Sequence, residues 1–181
     1  MIDSVIIPVN LHFDVEKIVE VYQTVKGSVK ESWDHQVSIT SLSGTDLTEG
    51  IGKLNDLSHP EKDYGTLNYK FKNTYLEYLH NTLLETFPVV RGRIMLLEGK
   101  TCYTYHRDPT WRLHVPVISS NDSIFVIEDK VYRMPTLGQV YLVNTRLFHS
   151  AINMKDEDRV HLVYGLNSDD PLGLINDNLR N

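Results

Sequence analysis

The sequence predicts a mostly β domain, an antiparallel sandwich or barrel flanked by two helices. Three observations carry that expectation. After Pro88, short runs of alternating apolar and polar residues follow one another with turn residues between them. Before Pro88, two stretches carry apolar residues at helical rather than strand spacing. With 181 residues at 41% hydrophobic content, the chain can build one well-filled core and is short for two.

In chain order, residues 6–9 read as a first strand. Asp14 can cap a helix whose apolar residues Val15, Ile18, Val19 and Tyr22 fall at i, i+3, i+4 and i+7, with Gly27 as its expected stop. Residues 36–40 alternate like a strand, and residues 41–53, dense in Gly, Ser and Thr, read as a plain connecting loop. Thr74 and Glu77 have capping-box spacing before a stripe of Tyr75, Leu76, Leu79, Leu83 and Leu84, which Pro88 closes. Both helical stripes are expected to pack on one face of the barrel. Strands are expected at 89–97, 101–107, 113–118, 123–128, 131–134 and 140–144, then a hairpin of 147–153 with 159–166. The predicted division is one domain over 1–181, with 1–88 as a helix-containing support and 89–170 as the strands carrying the site. Residues 178–181 read as a loose tail.

The chemistry-bearing residues lie in the second half. His106-Arg107-Asp108 and the later His149 supply two imidazoles and a carboxylate, the donor set of a facial triad that binds Fe(II) with coordination positions left open. Residues two apart on a strand face the same way, so His106 and Asp108 could grip one ion at a strand end before Pro109. In the expected hairpin, pairing of 153 with 159 puts His149, Arg159 and His161 on one face. An arginine fork beside an iron site suits an anionic cosubstrate such as 2-oxoglutarate, because a planar guanidinium matches a carboxylate with two parallel hydrogen bonds.

These segments, with Arg112-Leu113-His114-Val115-Pro116 and residues 138–144 between them, resemble the aspartyl/asparaginyl β-hydroxylase-like family of Fe(II)/2-oxoglutarate oxygenases, which includes bacterial hydroxylases of free proline. The resemblance runs in matching order through the C-terminal half. It implies a double-stranded β-helix, a jelly-roll and cupin-like barrel. It also implies Fe(II) bound by His106, Asp108 and His149, Arg159 on the distal carboxylate of 2-oxoglutarate, and Arg112 and His114 as a further cosubstrate contact. The implied reaction uses O2 and yields succinate, CO2 and a hydroxylated amino acid or amino-acyl side chain. Aspartyl β-hydroxylase itself has glycine where this chain has Asp108, so the chain looks more like the proline-hydroxylase branch.

Other readings of the same residues exist. His149 with Asn153 matches the end of a cupin motif, His-x-x-x-Asn, although its preceding Pro-x-Gly is absent. A jelly-roll module could grip an anionic small molecule without turnover. Arg159 could pair with the acidic residues 156–158 in a solvated hairpin tip. His161, Trp111 and Tyr103 read as packing residues. The single cysteine, Cys102, excludes an internal disulfide, fits a reducing compartment and reads as a small packed side chain. The start of the chain lacks a basic, long apolar leader and no apolar run approaches a membrane span, so a soluble cytoplasmic protein is expected. A net charge of -6 argues against sequence-independent nucleic-acid binding.

Overall fold

A computed structural model describes residues 5–54 and 58–175; residues 178–181 lie outside the described residues. The chain runs β1 (Ile6–His12), α1 (Val15–Glu31), β2 (Gln36–Ser38), β3 (Thr40–Ser41), β4 (Thr66–Leu67), α2 (Tyr75–Leu84), β5 (Val89–Leu97), β6 (Thr101–Cys102), β7 (Arg112–Ile118), β8 (Ser123–Ile127), β9 (Lys130–Arg133), β10 (Gln139–Val143), β11 (His149–Asn153) and β12 (Arg159–Leu166). A six-stranded antiparallel sheet in the order β1-β10-β7-β12-β5-β2 faces a four-stranded one, β6-β11-β8-β9, and β3 pairs with β4. The large sheet carries helices on its outer face. This is the expected mostly β double-stranded β-helix with flanking helices.

Strand alternation divides the core in two. Even positions of β12, Val160, Leu162 and Tyr164, join Ile94 and Leu96 of β5 against Ile18, Tyr22, Val25 and Val29 of α1 and Leu76, Leu79 and Leu83 of α2. Trp111 belongs to this cluster as a packing residue. A smaller core between the sheets contains Leu97, Phe125, Ile127, Tyr141, Val143 and Ala151. Odd positions of β12 point into that inter-sheet space, which places polar side chains inside the sandwich.

Several elements differ from expectation. Gly27 does not stop α1, which continues to Glu31 because Val25 and Val29 extend its buried stripe. The Asp14 side chain accepts from the Glu16 and Lys17 amides, as the cap requires. The Thr74 hydroxyl caps α2 at the Leu76 amide, while Glu77 reaches back to Asn73 rather than to the cap residue.

The strand expected over 101–107 ends at Cys102 and resumes only as an isolated bridge at His106. Both β6 residues are exposed at a sheet edge, so Cys102 is not a packed side chain. The expected hairpin does not form. β11 pairs with β6 and β8, β12 pairs with β5 and β7, and residues 154–158 cross from one sheet to the other. Asn153 stabilises that crossing, its amide donating to the Leu97, Glu98 and Glu157 carbonyls. None of the described helices is long and apolar enough to cross a membrane.

Candidate active site

The isolated bridge builds the centre of the site. His106 and His149 exchange backbone hydrogen bonds, His106 N–H to His149 O at 3.0 Å and the reverse at 2.7 Å. Residues directly opposite in an antiparallel bridge project side chains to the same face. The two imidazoles accordingly lie with ring centroids 4.5 Å apart. Asp108 is set beside them by its amide, which donates to the Thr145 carbonyl at 2.8 Å. One ligand-capable atom from each of His106, Asp108 and His149 lies within 4.8 Å of the others.

The donor chemistry fits a metal ion. Each Nδ1 contacts a backbone carbonyl two residues earlier, His106 to Thr104 at 2.7 Å and His149 to Leu147 at 3.0 Å. A carbonyl only accepts, so each Nδ1 carries the proton and each Nε2 keeps a lone pair for a metal. His149 Nε2 lies 3.9 Å from Asp108 Oδ2. Burial pushes the His149 pKa down and favours the neutral ligand form. Burial alone would raise the Asp108 carboxyl, but the charge and hydrogen bond of Arg112, with Arg93 and His149, hold it at about 2.

Asp108 is the end of a buried charge chain that strand reasoning missed. Arg112 Nε donates to Asp108 Oδ2 at 3.2 Å, while its Nη1 lies 2.7 Å from Glu61 Oε1. Glu61 also pairs with Arg91 at 2.9 Å and accepts from the Thr110 hydroxyl at 2.8 Å. Arg91 donates through Nε to Gly50 O at 2.7 Å and through Nη2 to Gly52 O. The loop read as a plain connection is therefore fastened to the site, and Gly52 and Lys53 line its cavity. The only sequence signal was Arg91-x-Arg93, two cations in an otherwise apolar strand.

A cavity of about 640 Å³ joins these residues, lined by His106, Asp108, Arg112, His114, His149 and Arg159, and also by Gln36 and Arg93. It draws on Asp34, Gln36, Gly52 and Glu61, N-terminal to the strands expected to carry the site. Arg159 is buried, so it does not pair with residues 156–158; Asp158 bonds Lys30 and Asp156 bonds Lys100 instead. Arg159 Nη2 donates to His161 Nδ1 at 2.9 Å, and its guanidinium lies over Phe125 at 5.2 Å. His114 is buried with neither ring nitrogen bonded among the described residues, and Arg112 Nη2 is likewise open. His161 packs edge-on to His114 at 5.8 Å.

Two sheets with a two-histidine, one-carboxylate cluster at the mouth of their shared cavity define a metal-binding double-stranded β-helix protein. The sequence profile of the Aspartyl/Asparaginyl beta-hydroxylase family matches residues 70–168, and the chain belongs to that family. It is a hydroxylase-type 2-oxoglutarate-dependent dioxygenase, which uses Fe(II), 2-oxoglutarate and O2. In fold it is similar to an oxidoreductase of the 2OG-Fe(II) oxygenase family from Burkholderia pseudomallei, at 13% identity over 84% of this chain and 79% of that one, TM-score 0.50. A cupin domain from Bordetella pertussis matches at 16% identity over 44% of this chain and 83% of its own, TM-score 0.39. No curated protein matches the chain.

Proposed function

We propose that His106, Asp108 and His149 hold Fe(II), that Arg159 takes the distal carboxylate of 2-oxoglutarate, and that Arg112 and His114 complete the cosubstrate pocket. The substrate is an amino acid or amino-acyl side chain, free proline or an Asp- or Asn-type residue. The observation that carries this reading is the convergence of the three donor atoms within 4.8 Å on a cavity that Arg159 also lines. Arg159 has no carboxylate partner among the described residues, and the open nitrogens of His114 and Arg112 lie on the same cavity.

With Fe(II), 2-oxoglutarate and O2 bound, the site would supply oxidative chemistry in which one atom of O2 enters a substrate C–H bond as hydroxyl and the other enters succinate as 2-oxoglutarate loses CO2. The chain's own residues position and exclude. The carbonyls of Thr104 and Leu147 orient the imidazoles, Arg112 orients Asp108, and Phe125 and Ala151 supply an apolar wall. In this proposal residues 1–181 act as one domain in the cytoplasm, where Fe(II) stays reduced, on a small molecule or peptide rather than on nucleic acid.

Anaerobic titration of the apo-protein with Fe(II) and then 2-oxoglutarate tests it through the weak visible charge-transfer band of a chelated 2-oxoacid. The band should form in the wild type and vanish in Asp108→Ala through loss of iron. In Arg159→Leu the iron should remain, with 2-oxoglutarate affinity roughly 100-fold weaker, since a buried charge-assisted pair is lost. Iron binding with no band on adding 2-oxoglutarate would overturn the assignment.

A further inference from the structure

The three proposed metal ligands are not held equally. His149 lies on β11 and is buried, and Asp108 is fixed by Arg112 and by the Thr145 carbonyl. His106 is the most exposed of the three and belongs to no named strand. Its backbone is tied to the barrel through the isolated bridge to His149, and its Nδ1 contacts the carbonyl of Thr104, which lies in the same irregular stretch. A single bridge lacks the continuous ladder that keeps a strand residue from twisting.

The reverse side of that bridge carries a cluster that the metal does not use. Alternation along each segment turns Tyr105 and Arg107, on either side of His106, and Phe148, just before His149, away from the imidazoles. The Tyr105 and Phe148 rings stack with centroids 5.6 Å apart and planes 22° apart, and the Arg107 guanidinium lies over the Phe148 ring at 5.4 Å. One aromatic ring therefore meets both chain neighbours of His106.

Phe148 is itself anchored. Its amide donates to Glu128 Oε1 at 3.0 Å, and the Glu128 amide donates to the Phe148 carbonyl at 2.8 Å. The Tyr105 hydroxyl donates to the Glu128 carbonyl at 2.9 Å. Glu128 has a left-handed backbone, φ 51°, in the turn after β8, so the turn offers its amide, carbonyl and carboxylate to the two aromatic residues. Phe148 is 43% exposed and Tyr105 53%, so burial of apolar area is a small part of what they supply. Stacked rings and a cation over a ring are directional, and they fix how residues 105–107 are turned about the bridge.

We propose that Phe148 is a positioning residue for His106: with Tyr105 and Arg107 it clasps the outer side of the His106–His149 bridge and fixes the direction of the His106 imidazole toward the metal. This inference rests on the metal assignment above. It gives a function to an aromatic pair that is left open to water and lies outside the cavity lining.

The test is an anaerobic competitive titration of the full-length, metal-free protein with Fe(II), followed by the charge-transfer band on adding 2-oxoglutarate. Phe148→Leu keeps an apolar side chain but removes the flat ring. Its Fe(II) affinity should fall roughly tenfold, the scale of losses when support of a metal ligand is removed. Its band should shift from the wild-type position, while the urea midpoint of the metal-free protein should match the wild type. Phe148→Tyr restores the ring and should restore both affinity and band. Tyr105→Leu, at a more exposed position, should weaken Fe(II) binding in the same direction and covers a failure of Phe148→Leu to fold. Combined with Phe148→Leu it should add little, because both changes remove the same contact.

Wild-type Fe(II) affinity in Phe148→Leu, an equal loss in Phe148→Tyr, or fully additive losses in the double variant would each overturn the clasp. A fall in the metal-free urea midpoint that accounts for the lost affinity would assign the ring to folding and overturn it as well. A wild-type protein that binds no Fe(II) would instead sink the metal assignment, so the two failures are distinguishable.

Discussion

His106 and His149 are prepared for a metal by the same local device. In each, Nδ1–H donates to the carbonyl two residues earlier, which selects one tautomer and leaves Nε2 its lone pair; that of His149 lies 3.9 Å from Asp108 Oδ2. Asp108 depends on a residue with no side chain of its own. A Cβ at Gly165 would lie 2.5 Å from Arg112 Nη1 and 3.3 Å from the Glu61 carboxyl carbon, so glycine there makes room for the ion pair. Arg112 is held on three sides and cannot swing away cheaply. Gly165→Ala should therefore displace Arg112 from Asp108, weakening Fe(II) binding roughly tenfold in a competitive titration. It should also lower stability by about 1–3 kcal/mol in urea unfolding. The motif residues His106, Asp108, His149 and Arg159 were legible as letters in the sequence. Gly165 was not, because its role is the space it leaves for another strand's side chain.

Among the elements, β5 carries an irregularity that serves the site. Arg91 adopts a left-handed backbone, φ 47°, beside Gly92, and the register with β12 shifts between Val163 and Gly165. Such a bulge re-aims a side chain. Arg91 reaches Glu61, on the 3-10 turn Glu61–Asp63, and also the loop carbonyls at Gly50 and Gly52. Glu61 thus ties two loops and β7 together. Burial would raise its pKa, but Arg112 and Arg91 outweigh that and hold it below its ordinary 4.5. A depressed carboxyl contributes stability that is present above 4.5 and lost as pH falls through the lower folded value. Glu61→Gln should remove about 3–5 kcal/mol at pH 7, because two buried guanidiniums lose their shared anion. It should also flatten the acid limb of a urea-midpoint-against-pH curve. An unchanged acid limb would show that Glu61 is not the titrating group.

Across the whole molecule, buried histidines make stability depend on pH well above the carboxylate range. Burial lowers the pKa of His80 beneath Tyr164 and, more strongly, those of His114 and His161 between the sheets. Each holds a proton less readily in the folded chain than in the unfolded one, where it protonates near 6.5, so the unfolded chain binds more protons as pH falls. Their contribution is full above 6.5 and declines below it. At pH 5.5 the loss should be roughly 1 kcal/mol for each of His114 and His161 relative to pH 7.5, with His80 adding in the same direction, measurable as a fall in the urea midpoint of the metal-free protein. A midpoint that is flat over that interval would contradict the burial of these rings in solution.

Local sequence alone determined the two helices, most of the strands and the residues of the proposed metal cluster. Helix caps, the 3.6 and 2.0 periodicities and a His-x-Asp motif act over a few residues, so they can be read without knowing the rest of the fold. Which strands pair was decided only by tertiary structure. β11 and β12 look like a hairpin because five residues, four of them charged, join them, yet each is buried in a different sheet, and that partition depends on partners tens of residues away. The same holds for His106, which meets His149 through one bridge rather than along a strand, and for Arg91, Arg93 and Glu61, which are charges in unremarkable local contexts. A buried charge is tolerated only where distant groups satisfy it, and the distance between those groups along the chain keeps them from being read before it folds.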